Sequence, residues 1–255
     1  MTRRPGASRR PRPRNRFGLL LLVLVASYLL SAFASGTWVS AVQVALFVGV
    51  AALAVRTGGI ETRIATAVIV MTVAGSAIVG ALVLAYPDTA VEGVANAWKA
   101  LVLGYAVFLI VRRVLVQPEI TIQSIYGAVS AYMIIGLMFA AVYGAMDKVG
   151  GAFFANGSPG NVQTYQYFSF TTLTTLGYGD FTAASSGGRA VAVMEALLGQ
   201  VFLATLVARL VSSFRGPGRT PDRQVRARRP QAPGSRRPSA AVTRRARSVP
   251  RSRSR

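Results

Sequence analysis

The sequence contains no cysteine and no histidine. That excludes disulfides, thiolate and imidazole metal sites, and catalysis by either side chain. Acids are scarce as well: eight Asp and Glu stand against 29 Lys and Arg in 255 residues, a net charge of +21. No paired acids, nucleophile–base sets or metal clusters appear, so an enzyme is not expected. Charge of either sign is nearly missing from the middle of the chain. Seven basic residues fall in 1–16 and fifteen in 209–255. What is present instead is apolar, 52% hydrophobic against 15% charged. This is the composition of a membrane protein with basic ends.

A spanning helix needs ~20 mostly apolar residues to cross a hydrocarbon core about 30 Å thick. Six segments fit: 17–35, 40–55, 64–86, 97–116, 122–146 and 189–213. The second is short and calls for tilt or borrowed neighbours. Arg and Lys in the short loops set the orientation. The tail 1–16, the loop with Arg56 and Arg63, the loop after Arg112 and Arg113, and the Arg-rich C-terminal tail all belong on the cytoplasmic side. The loop with Asp88 and Glu92 and the long connection 147–188 face out. The expectation is a multi-pass protein of the plasma (inner) membrane with both termini cytoplasmic. Basic residues, an apolar run and "AFA" at 32–34 also mimic a cleavable signal, but the run is longer than a usual signal core.

The connection 147–188 is too long for a turn. Its first part, "DKVGGAFFANGSPGN", is rich in Gly, Asn and Pro. Next, "VQTYQYFSFTTLTT" has no breaker and reads as a short helix. It runs directly into "LGYGD", a polar strip with two glycines flanking a tyrosine. The stretch "TTLTTLGYGD" resembles the signature of potassium channels, whose filters read T-V-G-Y-G. Leu176 replaces the commoner Val. The resemblance covers about 120–213.

The resemblance implies an all-α membrane protein: six transmembrane helices with a re-entrant pore helix and a selectivity-filter loop, assembled as a tetramer. The divisions are a basic tail (1–16), a four-helix transmembrane region (17–116), a pore domain (117–213) and a disordered Arg/Pro/Ser-rich tail (214–255). Carbonyls of Thr175, Leu176, Gly177 and Tyr178, with the Thr175 hydroxyl and Gly179 beyond, would replace the water a potassium ion sheds. Carbonyls can line up only if some residues adopt left-handed dihedrals, which Gly177 and Gly179 do without a Cβ clash. Tyr178 should turn its ring away from the ion path, toward Tyr167 and Phe168. Thr174 and Asp180 flank the strip as support. The short helix should aim its negative carboxyl end at the cavity. No cofactor is expected beyond potassium as the permeant ion. One strip per chain requires four chains, hence a homotetramer.

The fourth segment carries only Lys99, Arg112 and Arg113, far from the every-third-residue arginines of a voltage sensor. The first four spans therefore read as a scaffold, with weak or no voltage dependence. In the sixth, Gly199 matches the hinge glycine of similar channels, or else allows close helix packing. Leu203, Val207 and Val211 repeat every four residues below it, as a hydrophobic gate or a helix contact. Glu195 is the one acid within the six segments and is expected to hydrogen-bond behind the filter or to the short helix. Some potassium channels pair the Asp at 180 with a Glu at the position held here by Thr171, so that pairing is unavailable. "NGS" at 156–158 is a glycosylation pattern or simply a turn. The tails suit anionic lipid headgroups; without interleaved aromatics, no specific nucleic acid is expected. Two alternatives stay open: a non-selective cation channel, or a membrane scaffold with a vestigial pore.

Overall fold

The computed structural model describes residues 17–33, 37–57, 62–86, 88–116 and 121–214. Both basic tails, 1–16 and the part of 214–255 after Phe214, lie outside the described residues. Seven helices follow one another among the described residues: α1 (Phe17–Phe33), α2 (Thr37–Thr57), α3 (Thr62–Ala85), α4 (Thr89–Val116), α5 (Ile122–Gly150), α6 (Val162–Leu173) and α7 (Ser186–Phe214). Four helices, within α3, α4, α5 and α7, are long and apolar enough to cross a membrane. The apolar stretches of α1 and α2 are shorter, Phe17–Phe33 and Ala45–Arg56.

Local chemistry sets the helix starts. Thr121 and Ser124 form a capping box at α5, each side chain accepting from the other's backbone N–H at 3.3 Å. Asn161 and Thr164 do the same for α6, at 2.9 Å in both directions. Hydroxyl residues at the third position replace the Glu or Gln usual in such boxes. At α7 the Ser185 hydroxyl accepts from the Gly188 N–H at 3.0 Å.

The helix α4 begins eight residues before the apolar segment read from sequence, so most of the expected outer loop with Glu92 is helical. Hydropathy marks where a helix is greasy, not where it begins. Glu92 lies in the first turn, where the helix dipole favours an acid, and pairs with Lys148 of α5 at 2.8 Å. Thus Glu92 and Asp147 join Glu195 as helical acids.

Three clusters of buried apolar residues hold the bundle among the described residues, and two of them bear on the site. In one, Phe17, Leu20 and Leu24 of α1 are buried with Ile110 of α4 and Ile134 of α5. Helix α1 also reaches α6, where Tyr28 meets Phe170 edge-on with centroids 5.1 Å apart. Losing α1 would uncover these residues. The second core surrounds α6: Tyr143, Phe153, Phe154, Tyr165, Phe168 and Leu173. A bridge between Phe154 and Ala183 ties the loop before α6 to the chain after the polar strip. It is held by Ala155 N–H to Thr182 O and Ala184 N–H to Phe153 O, both 2.8 Å.

Candidate functional site

Helix α6 ends where the polar strip starts. The Leu176 N–H donates to the Thr171 carbonyl at 2.8 Å and the Thr175 N–H to the Thr172 carbonyl at 2.9 Å. These are the two bonds of a Schellman cap, which needs a left-handed residue between helix and exit. That residue is Thr175, with φ 57°. A β-branched residue is unusual there, and the usual Gly or Asn signal was absent from the sequence. Its hydroxyl is tied down on both sides. It donates to the Thr174 carbonyl at 2.7 Å and accepts from the Gln200 amide nitrogen at 3.0 Å. Thr174 in turn donates through its own hydroxyl to the Phe170 carbonyl at 2.7 Å.

Beyond Thr175 the backbone is again left-handed at Gly177 (φ 53°) and Gly179 (φ 81°). Every second residue of the strip therefore has positive φ. Leu176 and Tyr178 stand between them with 56% and 68% of their surfaces exposed in the single chain. The capped end of α6, the negative end of its helix dipole, lies directly behind.

The outer end of the strip is braced. Asp180 accepts from the Tyr167 hydroxyl at 2.8 Å, and its carbonyl accepts from the Asn156 amide at 3.1 Å. Donating this bond raises the cost of ionising the phenol, so Tyr167 titrates above its ordinary value, with lesser contributions from desolvation and the nearby Asp180 charge. Tyr178 lies parallel to Tyr167, ring centroids 6.3 Å apart. Phe168 does not join them. It points the other way, against Tyr143, Phe153 and Phe154. One residue on a helix turns the face by about 100°, so adjacent aromatics cannot share a neighbour on one side. Asn156 also accepts from the Ser158 N–H at 3.0 Å, with Gly157 at φ 70° between. This is an Asx turn, the turn form of the "NGS" reading.

Glu195 is fully buried behind α6. The Tyr143 hydroxyl of α5 meets one carboxyl oxygen at 2.5 Å, and the Ser169 hydroxyl of α6 meets the other. Ser169 also lies 2.7 Å from the Gly136 carbonyl. One carboxyl thus links three helices.

Gly199 lies where α7 crosses the end of α6. A Cβ there would stand 2.3 Å from the Leu173 carbonyl oxygen. The same oxygen accepts from the Tyr132 hydroxyl at 3.1 Å. Leu203, Val207 and Val211 lie on exposed positions further along α7, as does Gln200. Gln200 was missed at the level of sequence, since a lone polar residue in an apolar helix gives no hint of its reach. Its place one residue after Gly199 was the available signal.

Residues 125–215 match a family model described as an ion channel. No curated protein and no solved structure matches the chain. The matched stretch takes in most of α5 with α6, the polar strip and α7, and over these residues the chain is similar to ion channels, which are not enzymes.

Proposed function

We propose that the chain conducts potassium passively and selectively through a homotetramer, with residues 175–179 as its filter and Thr174 and Asp180 as its support. The observation that carries this reading is the alternation of left-handed backbone at Thr175, Gly177 and Gly179, immediately after a capped helix end. Such alternation suits carbonyls stacked toward one side, where they substitute for ion hydration. Irregular backbone at membrane depth is tolerated only when buried in protein or lining a watery path. In the single chain Leu176 and Tyr178 are exposed, so further copies must cover them. Four copies around an axis close the ring.

The six-span reading rests on α1 and α2 packing within the same bundle as the four longer helices. A helix of 17 residues is about 26 Å long, enough for a slightly thinned core. Loop charge favours both termini on the cytoplasmic side of the plasma membrane, with the basic tails against anionic headgroups. Glu195, Tyr167 and Asp180 support the filter. Gly199 acts by close approach to Leu173, and Leu203, Val207 and Val211 line the inner path.

Rubidium uptake into liposomes carrying purified protein tests the proposal. Uptake with sodium excluded, and blocked by barium, is the expected result. Equal sodium and rubidium flux would make it a non-selective channel. A tight, folded protein with no flux would make it a scaffold.

A further inference from the structure

The hydrogens around Glu195 can be counted. Three pairs of oxygens stand at hydrogen-bond distance. The Tyr143 hydroxyl meets one carboxyl oxygen, the Ser169 hydroxyl meets the other, and the Ser169 hydroxyl also meets the Gly136 carbonyl. Each pair needs one hydrogen between its two oxygens. The hydroxyls of Tyr143 and Ser169 bring one each, and a carbonyl brings none. The third hydrogen must therefore come from Glu195. One assignment satisfies all three pairs. Tyr143 donates to Oε2, Ser169 donates to the Gly136 carbonyl, and Glu195 donates through Oε1 to Ser169.

The surroundings agree with this count. Helix α7 packs on α5 and α6 of its own chain. The titratable groups that α5 brings near Glu195 are Tyr143 and Tyr132, neither of them a cation. Tyr165 and Tyr167 of α6 are engaged elsewhere, by Asp147 and Asp180. Among the described residues the ion pair found joins Lys148 to Glu92, away from this cluster. Glu195 is fully buried within one chain, so no further copy can bring a counter-charge into contact with it. A bare carboxylate is far more costly in such a place than a neutral acid whose hydrogen has an acceptor. We propose that Glu195 serves as a neutral carboxylic acid whose own hydrogen locks α6 to α5 and α7, and so fixes the helix from which the strip emerges. Without that hydrogen Ser169 could satisfy the carboxylate or the Gly136 carbonyl, and the remaining pair would be two facing acceptors. Ser169 lies four residues before Leu173, the last residue of α6, so the lock acts on the half of the helix that leads to Thr175. Glu195 is thus a positioning residue, working through Ser169.

Infrared spectra of the full chain in liposomes at neutral pH test the proton. The difference between wild type and Glu195→Gln should contain the carbonyl band of a protonated carboxylic acid, moving to lower frequency in heavy water. A difference made only of carboxylate bands overturns the proposal. Should Glu195→Gln fail to fold, the wild type labelled with carbon-13 at its glutamate carboxyls answers the same question by magnetic resonance. The sequence holds four glutamates, Glu61, Glu92, Glu119 and Glu195. A carboxyl in the acid form is expected, and four ionised carboxyls overturn the assignment. Rubidium flux tests the lock, and this arm rests on the channel reading above. Glu195→Gln keeps a donor for Ser169, whereas Glu195→Met fills similar space and has none. The Met variant should lose at least about tenfold more flux than the Gln variant. Equal flux in the two overturns the lock. Absence of flux in the wild type would defeat the channel reading itself, and the infrared result would still decide where the proton is.

Discussion

The Tyr167 hydroxyl donates to Asp180 at 2.8 Å, joining the middle of α6 to the outer end of the strip. The acid that lacks a glutamate partner at Thr171 has found a phenol instead. Tyr167→Phe keeps the ring that lies parallel to Tyr178 and removes only this bond. We expect rubidium flux to begin normally and then decline faster than in the wild type, measured as uptake over time. Undiminished, sustained flux would show that Asp180 needs no such brace.

The same bond carries a pH dependence. A phenol whose folded value lies above its free value of about 10 contributes its stability fully below that point. The contribution is lost as pH rises through the higher folded value. Wild type and Tyr167→Phe should therefore differ in melting temperature by a constant amount from pH 7 to about 10 and converge above it. A gap that instead opens at alkaline pH would reverse the assignment.

Glu195 links α5, α6 and α7 through Tyr143 and Ser169. Glu195→Gln keeps one acceptor and one donor and should retain flux within a few-fold. Glu195→Ala strands the buried Tyr143 hydroxyl, at a cost of about 1–3 kcal/mol, while Ser169 keeps the Gly136 carbonyl. It should melt at clearly lower temperature in detergent. Equal melting of Ala and Gln variants would mean the carboxyl is dispensable.

At Gly199 the two sequence readings separate. Overpacking of a filled site costs about 1–3 kcal/mol, and here the obstacle is the Leu173 backbone. Gly199→Ala should lower both melting temperature and flux. Lower flux at unchanged stability would instead identify a bending point.

Helix α4 carries Lys99, Arg112 and Arg113, and Lys99 is engaged by Asn96 of its own helix at 3.3 Å. In planar bilayers, conductance should vary only gently with voltage. A steep rise over a few tens of millivolts would return α4 to the role of sensor.

Some of this was legible from residues alone. The order of helix, short helix, strip and helix followed from apolar run lengths and from "TTLGYGD". Gly177 and Gly179 announced positive φ, because glycine is the residue that bears it cheaply. Glu195 announced a partner, because a carboxyl in an apolar helix needs one. Other features were hidden for physical reasons. Thr175 occupies a left-handed cap that threonine disfavours, so propensity pointed the wrong way. Phe168 and Tyr167 looked equivalent in a line of aromatics but lie on different faces. The partners Tyr143 and Ser169 are 52 and 26 residues from Glu195, and no local pattern connects such distances.

The packing of α1 against α5 and α6 of its own chain has a consequence for mixed assemblies. Tyr28 leans on Phe170, and Phe170 fits against Gly136, where a Cβ would stand 2.7 Å from its ring. If four copies close the ring as proposed, a lesion at Tyr28 would be transmitted first to the quarter that the same polypeptide supplies. In channels co-assembled from normal and altered chains, impairment should grow with each altered copy incorporated, rather than appear all at once with the first.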